Sequence, residues 1–477
     1  MKLKFYIFRL PVFLAIIFLT SPGKQILAQA LPDTSGLSAR VDEYVKQYTA
    51  LDIFSGVVLI AFDGKPVYHK PFGLADREKN IPVTLNTKFL IGSMNKSFTQ
   101  VVILQLINEG KLKVDDKMTD LLSGFKQPLA KNITVEQLLT HRSGFGDYHG
   151  PMYFNMPYEK KNISGITELL KQQELDFPPG NEQQYSNAGY ILLGAIIEKI
   201  TGKSYAENVN ERIIKKLNLQ QTFTENIDRV PGRSVGYLKT ISGVENNLPF
   251  ITEPKSDGGF WATAADILTF YRNYYHGEML LTAEMKKPFP YFREMEPLYA
   301  QKLKAVGMAG GMNGANTVHM EMLHEKISVV VLANMDEPVA EKISAGIVNM
   351  IKGTAPAPAA LPVKLQLYET YKEKGIQQLE KDFESLTADF FPGEPKDFIL
   401  NALGYELLQN DELPEALEIF TLNTKLFPGI ANCWDSYGEA LLLSGNNEAA
   451  LAAYKKALSI NPDMPSSKQA VKKLEGK

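Results

Sequence analysis

Ser93 and Lys96 stand three residues apart in Gly92-Ser93-Met94-Asn95-Lys96-Ser97-Phe98-Thr99. That spacing puts a hydroxyl and an amine on one face of a helix's first turn. A helix N-terminus carries unpaired N–H groups and partial positive charge, which favour a developing oxyanion and disfavour a protonated amine. A neutral lysine beside a serine is a general base beside a nucleophile. Two other Ser-x-x-Lys matches lack this context: Ser21 with Lys24 falls in the N-terminal leader, and Ser123 with Lys126 in a turn with no apolar run behind it. Only the Ser93 copy opens an amphipathic helix, running through Val101, Val102, Leu104, Leu106 and Ile107 to Gly110.

A serine nucleophile also needs a proton relay, a contact for the substrate and oxyanion donors. Tyr185-Ser186-Asn187, after Phe177-Pro178-Pro179-Gly180, supplies the first two. The Tyr185 phenol can shuttle a proton once a neighbouring ammonium lowers its pKa. Asn187 can donate to a substrate carbonyl, and it also suits the N-cap of the helix that follows. Tyr153-Phe154-Asn155 and Tyr271-Arg272-Asn273 have the same form. The last lies inside a helix, and only Tyr185 has a diproline-glycine loop to hold it.

The elements that position these groups are readable from patterning. An apolar run over 55–62, then Asp63-Gly64, then Lys65-Pro66-Val67-Tyr68-His69 is a hairpin, since both turn residues tolerate positive φ. Two more strands are expected at 315–323 and 326–334. Strand pairs at both ends of a domain, with helix and loop between, predict one antiparallel sheet closed by distant segments. Helices are expected at 134–140, stopped by His141-Arg142-Ser143-Gly144, at 187–201 before Gly202, and from Thr263.

At 477 residues the chain is too long for one ordinary core. A net charge of −3 gives no case for nucleic acid or an anionic membrane. One cysteine excludes an internal disulfide, and six histidines without a Cys/His cluster indicate no metal site. No cofactor is indicated: Thr201-Gly202-Lys203-Ser204 imitates a phosphate loop, but the required upstream glycine position is Ile197. Residues 1–30 read as a signal peptide, with Lys2, Lys4 and Arg9 before a short apolar run and Ala28-Gln29-Ala30 at the cleavage positions. The run is too short for a stable membrane span, so the protein is expected to be exported, periplasmic or secreted.

Residues 353–362, rich in alanine and proline, read as a stiff linker between a domain at 31–352 and one at 363–477. In the latter Gly404 recurs as Gly438, Leu408 as Leu442, Ala416 as Ala450, Phe420 as Tyr454 and Pro428 as Pro462. A period of 34 with a closing proline resembles tetratricopeptide repeats, paired antiparallel helices. A degenerate copy is expected at 365–392 and a cap helix at 466–474.

The segment Gly92 to Thr99 resembles the nucleophile segment of the class C β-lactamase and penicillin-binding-protein superfamily. Ile133 to Gly144, Pro179-Gly180 with Tyr185-Ser186-Asn187, and Gly258-Gly259 ahead of the Thr263 helix are similar to further landmarks in the same order. The resemblance spans roughly 41–352. It implies an α/β (α+β) fold, a β-lactamase/DD-peptidase-like antiparallel sheet with a helical insertion, followed here by the all-α tetratricopeptide-like domain. It also implies acylation at Ser93, with Lys96 and Tyr185 sharing the base role, while His141 holds its loop by hydrogen bonding. In the third family element a strand carries Lys or His, Thr or Ser, then Gly. Here the aligned segment is Gly307-Met308-Ala309-Gly310-Gly311. Lys255-Ser256-Asp257-Gly258 imitates that element but precedes a helix.

Met308 and Ala309 cannot supply the side-chain hydrogen bonds, each roughly 1.5–3 kcal/mol, that grip a substrate carboxylate. Backbone donors remain, so Gly311 with Ser93 can form an oxyanion hole, and Gly310 and Asn187 join Gly311 as substrate-binding positions. The expectation is an exported serine hydrolase acting on a small ester or amide, with weak or absent β-lactamase activity. A peptidase of D-amino-acid or cell-wall peptides stays open. So does a catalytically decayed scaffold whose repeats bind a protein or peptide partner.

Overall fold

The computed structural model describes residues 36–388 and 395–476; the expected signal peptide and the end of the degenerate repeat lie outside them. These residues form two compact units, one from residues 36–238 and 246–359, the other from residues 239–245, 360–388 and 395–476.

In the first unit, β1 (Gly56–Phe62) and β2 (Lys65–Phe72) form a hairpin whose turn residues Asp63 and Gly64 have φ of 47° and 78°. Two positive φ values match the right-handed twist of the flanking strands. The late strands are β3 (Ala305–Met312), β4 (Ala315–Met322) and β5 (Ile327–Ala333). β5 pairs antiparallel with β1 from Gly56↔Ala333 to Phe62↔Ile327, closing a five-stranded sheet of order β2-β1-β5-β4-β3. β4 and β5 are buried at every residue; β5 is an apolar run broken only by Ser328, whereas β4 interleaves Asn316, Thr317, His319 and Glu321 with apolar residues. β2 is an edge strand kept from further pairing by Pro66, Pro71, Lys65 and Lys70. The opposite edge, β3, is left for the site.

The helices that bear on the site and the sheet include α1 (Leu37–Ala50), α2 (Lys96–Asn108), α3 (Val135–Leu139), α4 (Asn187–Thr201), α5 (Ala264–Tyr275) and α6 (Val339–Ile351). Val57, Leu59, Ala61, Val330 and Leu332 join one core with α2, α4 and α5. Phe98 of α2 stacks on Phe270 of α5 with ring centroids 3.8 Å apart. Thr134 and Gln137 close a capping box on α3.

α2 is not amphipathic. Lys96 through Leu106 are all buried, so every face is covered and the polar members are interior. Gln100 shows how they are satisfied: Nε2 donates to Tyr190 Oη at 2.7 Å and Oε1 accepts from Tyr274 Oη at 2.6 Å.

The second unit is helical: α7 (Val363–Lys374), α8 (Ile376–Leu386), α9 (Asp397–Gln409), α10 (Leu413–Leu426), α11 (Ala431–Leu443), α12 (Asn447–Ile460) and α13 (Pro465–Leu474). The pair α11–α12 begins 34 residues after the pair α9–α10 at both helices. The recurring glycines let helices approach closely. A Cβ on Gly404 would lie 2.6 Å from the Phe420 ring, and one on Gly438 3.0 Å from the Tyr454 ring. Gly404→Val is therefore expected to cost roughly 1–3 kcal/mol through overpacking. Urea denaturation of the full chain, followed through Trp434 with Trp261→Phe, reads that loss.

Candidate active site

Ser93 lies in a 3-10 turn, Gly92–Asn95, that runs directly into α2. Gly92 has φ +49°, and a Cβ there would fall 2.7 Å from the Gly311 nitrogen. A Cβ on Gly310 would fall 2.0 Å from the Ile91 carbonyl and 2.8 Å from the Ser93 nitrogen. The nucleophile turn thus rests on β3 backbone against backbone, which only residues without side chains permit. Thr317 on β4 fixes the contact, its Oγ1 within 3.1 Å of both the Ile91 and Gly310 carbonyls. On the other side of Gly311, a Cβ would fall 1.2 Å from Glu337 Oε1.

Lys96 is buried, with Nζ 3.1 Å from Ser93 Oγ. Its two other neighbours are acceptors only: Asn187 Oδ1 at 2.8 Å and the Asp257 carbonyl at 2.7 Å. In the neutral amine the two N–H bonds satisfy those oxygens, and the lone pair is left for the Ser93 hydroxyl. Burial pushes the Lys96 pKa down to about 8, against the pull of the Asp257 and Asp147 carboxylates.

Tyr185 Oη donates to Ser93 Oγ at 2.7 Å. Neither Tyr153 nor Tyr271 makes this contact: Tyr153 packs against Tyr148 and His149, and Tyr271 reaches the Met94 carbonyl from beneath. The sequence reading of a lowered Tyr185 pKa is corrected. Burial raises it well above the ordinary phenol value, with Asp257, Tyr190 and Asp147 adding to the rise and the Ser93 hydrogen bond opposing it. Tyr185 stands as a protonated donor.

Asn187 is not the N-cap of α4; Ser186 is, accepting from the Gly189 N–H at 2.8 Å. That frees the Asn187 amide, whose Nδ2 donates to Asp147 Oδ1 at 3.3 Å. The N–H of Ser186 donates to His141 Nδ1 at 3.1 Å, and the His141 ring lies 4.9 Å from that of Tyr185. Burial first, and then the Lys96 charge, push His141 down to about 3, so it stays a neutral acceptor. Its ring braces the loop that presents Tyr185.

Two groups of residues escaped the sequence reading. Lys255-Ser256-Asp257, set aside as an imitation, forms the floor of the site through its main chain. Its three successive carbonyls accept from Asn95 Nδ2 at 2.6 Å, Thr99 Oγ1 at 2.6 Å and Lys96 Nζ at 2.7 Å. The second group is Asp147, Tyr148 and Asp257. Tyr148 Oη donates to Asp257 Oδ2 at 2.7 Å, and Asp147 Oδ1 meets His149 Nδ1 at 2.7 Å. Met308 is the residue that the sequence resemblance aligns with the family's basic position. It is buried in the main core, its sulfur 3.8 Å from Tyr291 Oη, and offers no donor.

A serine with a buried lysine and a phenol on its Oγ, between a sheet edge and a helical insertion, is the arrangement of β-lactamase-related serine hydrolases. The chain belongs to the beta-lactamase family, whose model matches residues 41–348. It is 27% identical over 316 residues to penicillin-binding protein 4* of Bacillus subtilis (strain 168), covering 60% of this chain and 69% of that one. It is 33% identical over 183 residues to the teichoic acid D-alanine hydrolase of Staphylococcus aureus, covering 38% of this chain and 43% of that one. Among solved structures, the octameric penicillin-binding protein homologue from Pyrococcus abyssi shares the fold, with a TM-score of 0.59 at 23% identity over 71% of this chain and 82% of that one.

Proposed function

We propose that this chain is an exported hydrolase that forms an acyl-enzyme at Ser93 on a small ester or amide and turns over β-lactams weakly or not at all. The observation that carries the reading is the Lys96 amine, whose two other partners can only accept, leaving its lone pair for Ser93. As Oγ attacks the substrate carbonyl carbon, the hydroxyl proton passes to Lys96. The carbonyl oxygen becomes an oxyanion facing the N–H groups of Ser93 and Gly311. The bond to the leaving group then breaks, Tyr185 gives that group a proton, and the Lys96 ammonium restores the phenol. Water attacks the resulting ester through the same relay and releases the acid and Ser93.

The substrate class follows from what β3 lacks. Met308 and Ala309 give a penicillin carboxylate no cationic or hydroxyl partner. One relative's name, a D-alanine hydrolase of teichoic acid, supports D-alanyl esters or amides among the candidates. The export reading rests on the basic and apolar pattern of residues 1–30. No helix among the described residues is long and apolar enough to cross a membrane. We assign residues 31–352 to the hydrolase, 353–362 to a linker and 363–477 to a tetratricopeptide-like domain with a protein or peptide partner.

Intact-mass measurement after mixing with 4-nitrophenyl acetate, D-alanine p-nitroanilide or benzylpenicillin tests this. The expected result is an acyl adduct on the Ser93 peptide from the ester, absent in Ser93→Ala, with penicillin consumed slowly if at all. A well-folded protein that no acyl donor labels would favour the scaffold reading, and rapid penicillin turnover would remove the argument from Met308.

A further inference from the structure

The structure assigns a second ligand site to the hydrolase unit: a cavity in which Lys88 and Arg233 receive the carboxylate of a small organic acid with an apolar body. None of its lining residues takes part in the Ser93 site, so its occupancy is separate from acyl transfer.

The cavity, of about 610 Å³, opens between the chain at 75–88 and the segments at 231–235 and 246–248. That volume suits a small organic ligand. Lys88 stands directly before the short strand Phe89–Leu90. Its N–H donates to the Gly232 carbonyl at 3.1 Å, and its carbonyl accepts from the Ser234 N–H at 2.9 Å. These bonds make Lys88 and Arg233 parallel bridge partners, so two cations stand side by side in the cavity wall.

Lys88 is only 7% exposed, yet its Nζ has no hydrogen bond and no ion pair among the described residues. The Phe223 ring, 5.9 Å from Nζ, offers a π face but no lone pair. Burial pulls the Lys88 pKa down, and the Asp266 charge opposes it. Asp266 is itself engaged elsewhere, its Oδ2 accepting from the Gln221 N–H and the Thr222 hydroxyl at 2.8 Å each. A Cβ on Gly232, which also lines the cavity, would fall 3.7 Å from Nζ, so the ammonium stands against the cavity wall. A buried ammonium with unmet N–H groups is costly, and a ligand carboxylate removes that cost. Arg233 is held beside it, with Nε donating to the Ile227 carbonyl at 3.2 Å and the guanidinium 5.9 Å from the Trp261 ring centroid. Its two Nη groups have no acceptor among the described residues and are left for the same carboxylate.

Two carboxylates also line the cavity, and other donors satisfy both. Asp76 takes the Lys79 ammonium at 2.8 Å and the Lys79 N–H at 2.9 Å, while Glu78 takes the Tyr237 hydroxyl and the Asn246 amide. With Lys79, Lys88 and Arg233 against Asp76 and Glu78, the wall keeps a positive balance. Ile81 and Leu248, both exposed, line it as well. Apolar surface beside an unmet pair of cations favours an acid with an apolar body over a bare inorganic anion, and it disfavours a cation.

Isothermal titration calorimetry of the full-length protein with 4-phenylbutyrate, its neutral amide and inorganic phosphate tests the assignment. The acid is expected to bind with a Kd of about 1 mM or tighter. The amide should bind about tenfold or more weakly, the scale of one charge-assisted hydrogen bond. Lys88→Met and Arg233→Gln, each checked for folding by near-UV circular dichroism, should each lose about tenfold or more in affinity for the acid. Arg233→Gln decides the matter if Lys88→Met does not fold. Equal affinity for acid and amide, acid binding that survives the folded variants, or no acid binding by the parent would overturn the inference. So would phosphate binding as tightly as the acid, since the apolar body would then contribute nothing. Acylation of Ser93 by 4-nitrophenyl acetate is a separate readout, so either result leaves the hydrolase reading to its own test.

Discussion

Lys96→Met is expected to lower kcat for a 4-nitrophenyl ester by about 10³-fold or more, because it removes the amine that accepts the Ser93 proton. Methionine matches the lysine stem in length and apolarity, so the surrounding core keeps its packing. The substitution does strip a donor from Asn187 Oδ1 and from the Asp257 carbonyl, which lie 2.8 and 2.7 Å from Nζ. Near-UV circular dichroism separates that local loss from misfolding. The pH dependence makes the assignment sharper. Lys96 is protonated below, and neutral above, its depressed pKa of about 8. Only the neutral form accepts the Ser93 proton, so activity in the parent is expected to rise with pH and level off above about 8. In Lys96→Met the residual rate should lose that limb. A parent profile that is flat from pH 6 to 10, or a variant within tenfold of the parent, would remove Lys96 from the base role.

The parts of this protein that were legible in the sequence are those written in residue types at short spacing. Ser93 and Lys96, the Asp63-Gly64 hairpin, the two late strands and the 34-residue spacing of helices all carry local signatures. The floor of the site has none, because Lys255, Ser256 and Asp257 act there through carbonyl oxygens that every residue possesses. Their side chains pointed instead to a motif that belongs on a strand. α2 was misread for a related reason: Gln100, Gln105 and Thr99 look like a solvent face by type, and only partners 90 or more residues away show them to be interior. Asp147 and Asp257 were invisible as a pair, since 110 residues separate them and a fold must bring them to one lysine. Ionisation was the least readable property. A tyrosine near an ammonium should lose its proton readily, yet burial and two carboxylates turn Tyr185 the other way.

That reversal sets the second large expectation, for Tyr185→Phe. A protonated phenol 2.7 Å from Ser93 Oγ is a general acid in waiting, so its removal should matter in proportion to how badly the leaving group needs a proton. For an alkyl ester or an amide the loss is expected to be about 10²–10³-fold in kcat/KM. For a 4-nitrophenyl ester, whose leaving group departs as a stable anion, the loss should be tenfold or less. The alternative, a tyrosinate that deprotonates Ser93, predicts equal losses across leaving groups, because the nucleophile must be activated in every case. Rates for a series of aryl and alkyl esters of one acid, compared in parent and variant, decide between them. A steeper dependence on leaving-group basicity in Tyr185→Phe supports the acid. Parallel lines would return the base role to Tyr185 and make Lys96 its electrostatic partner.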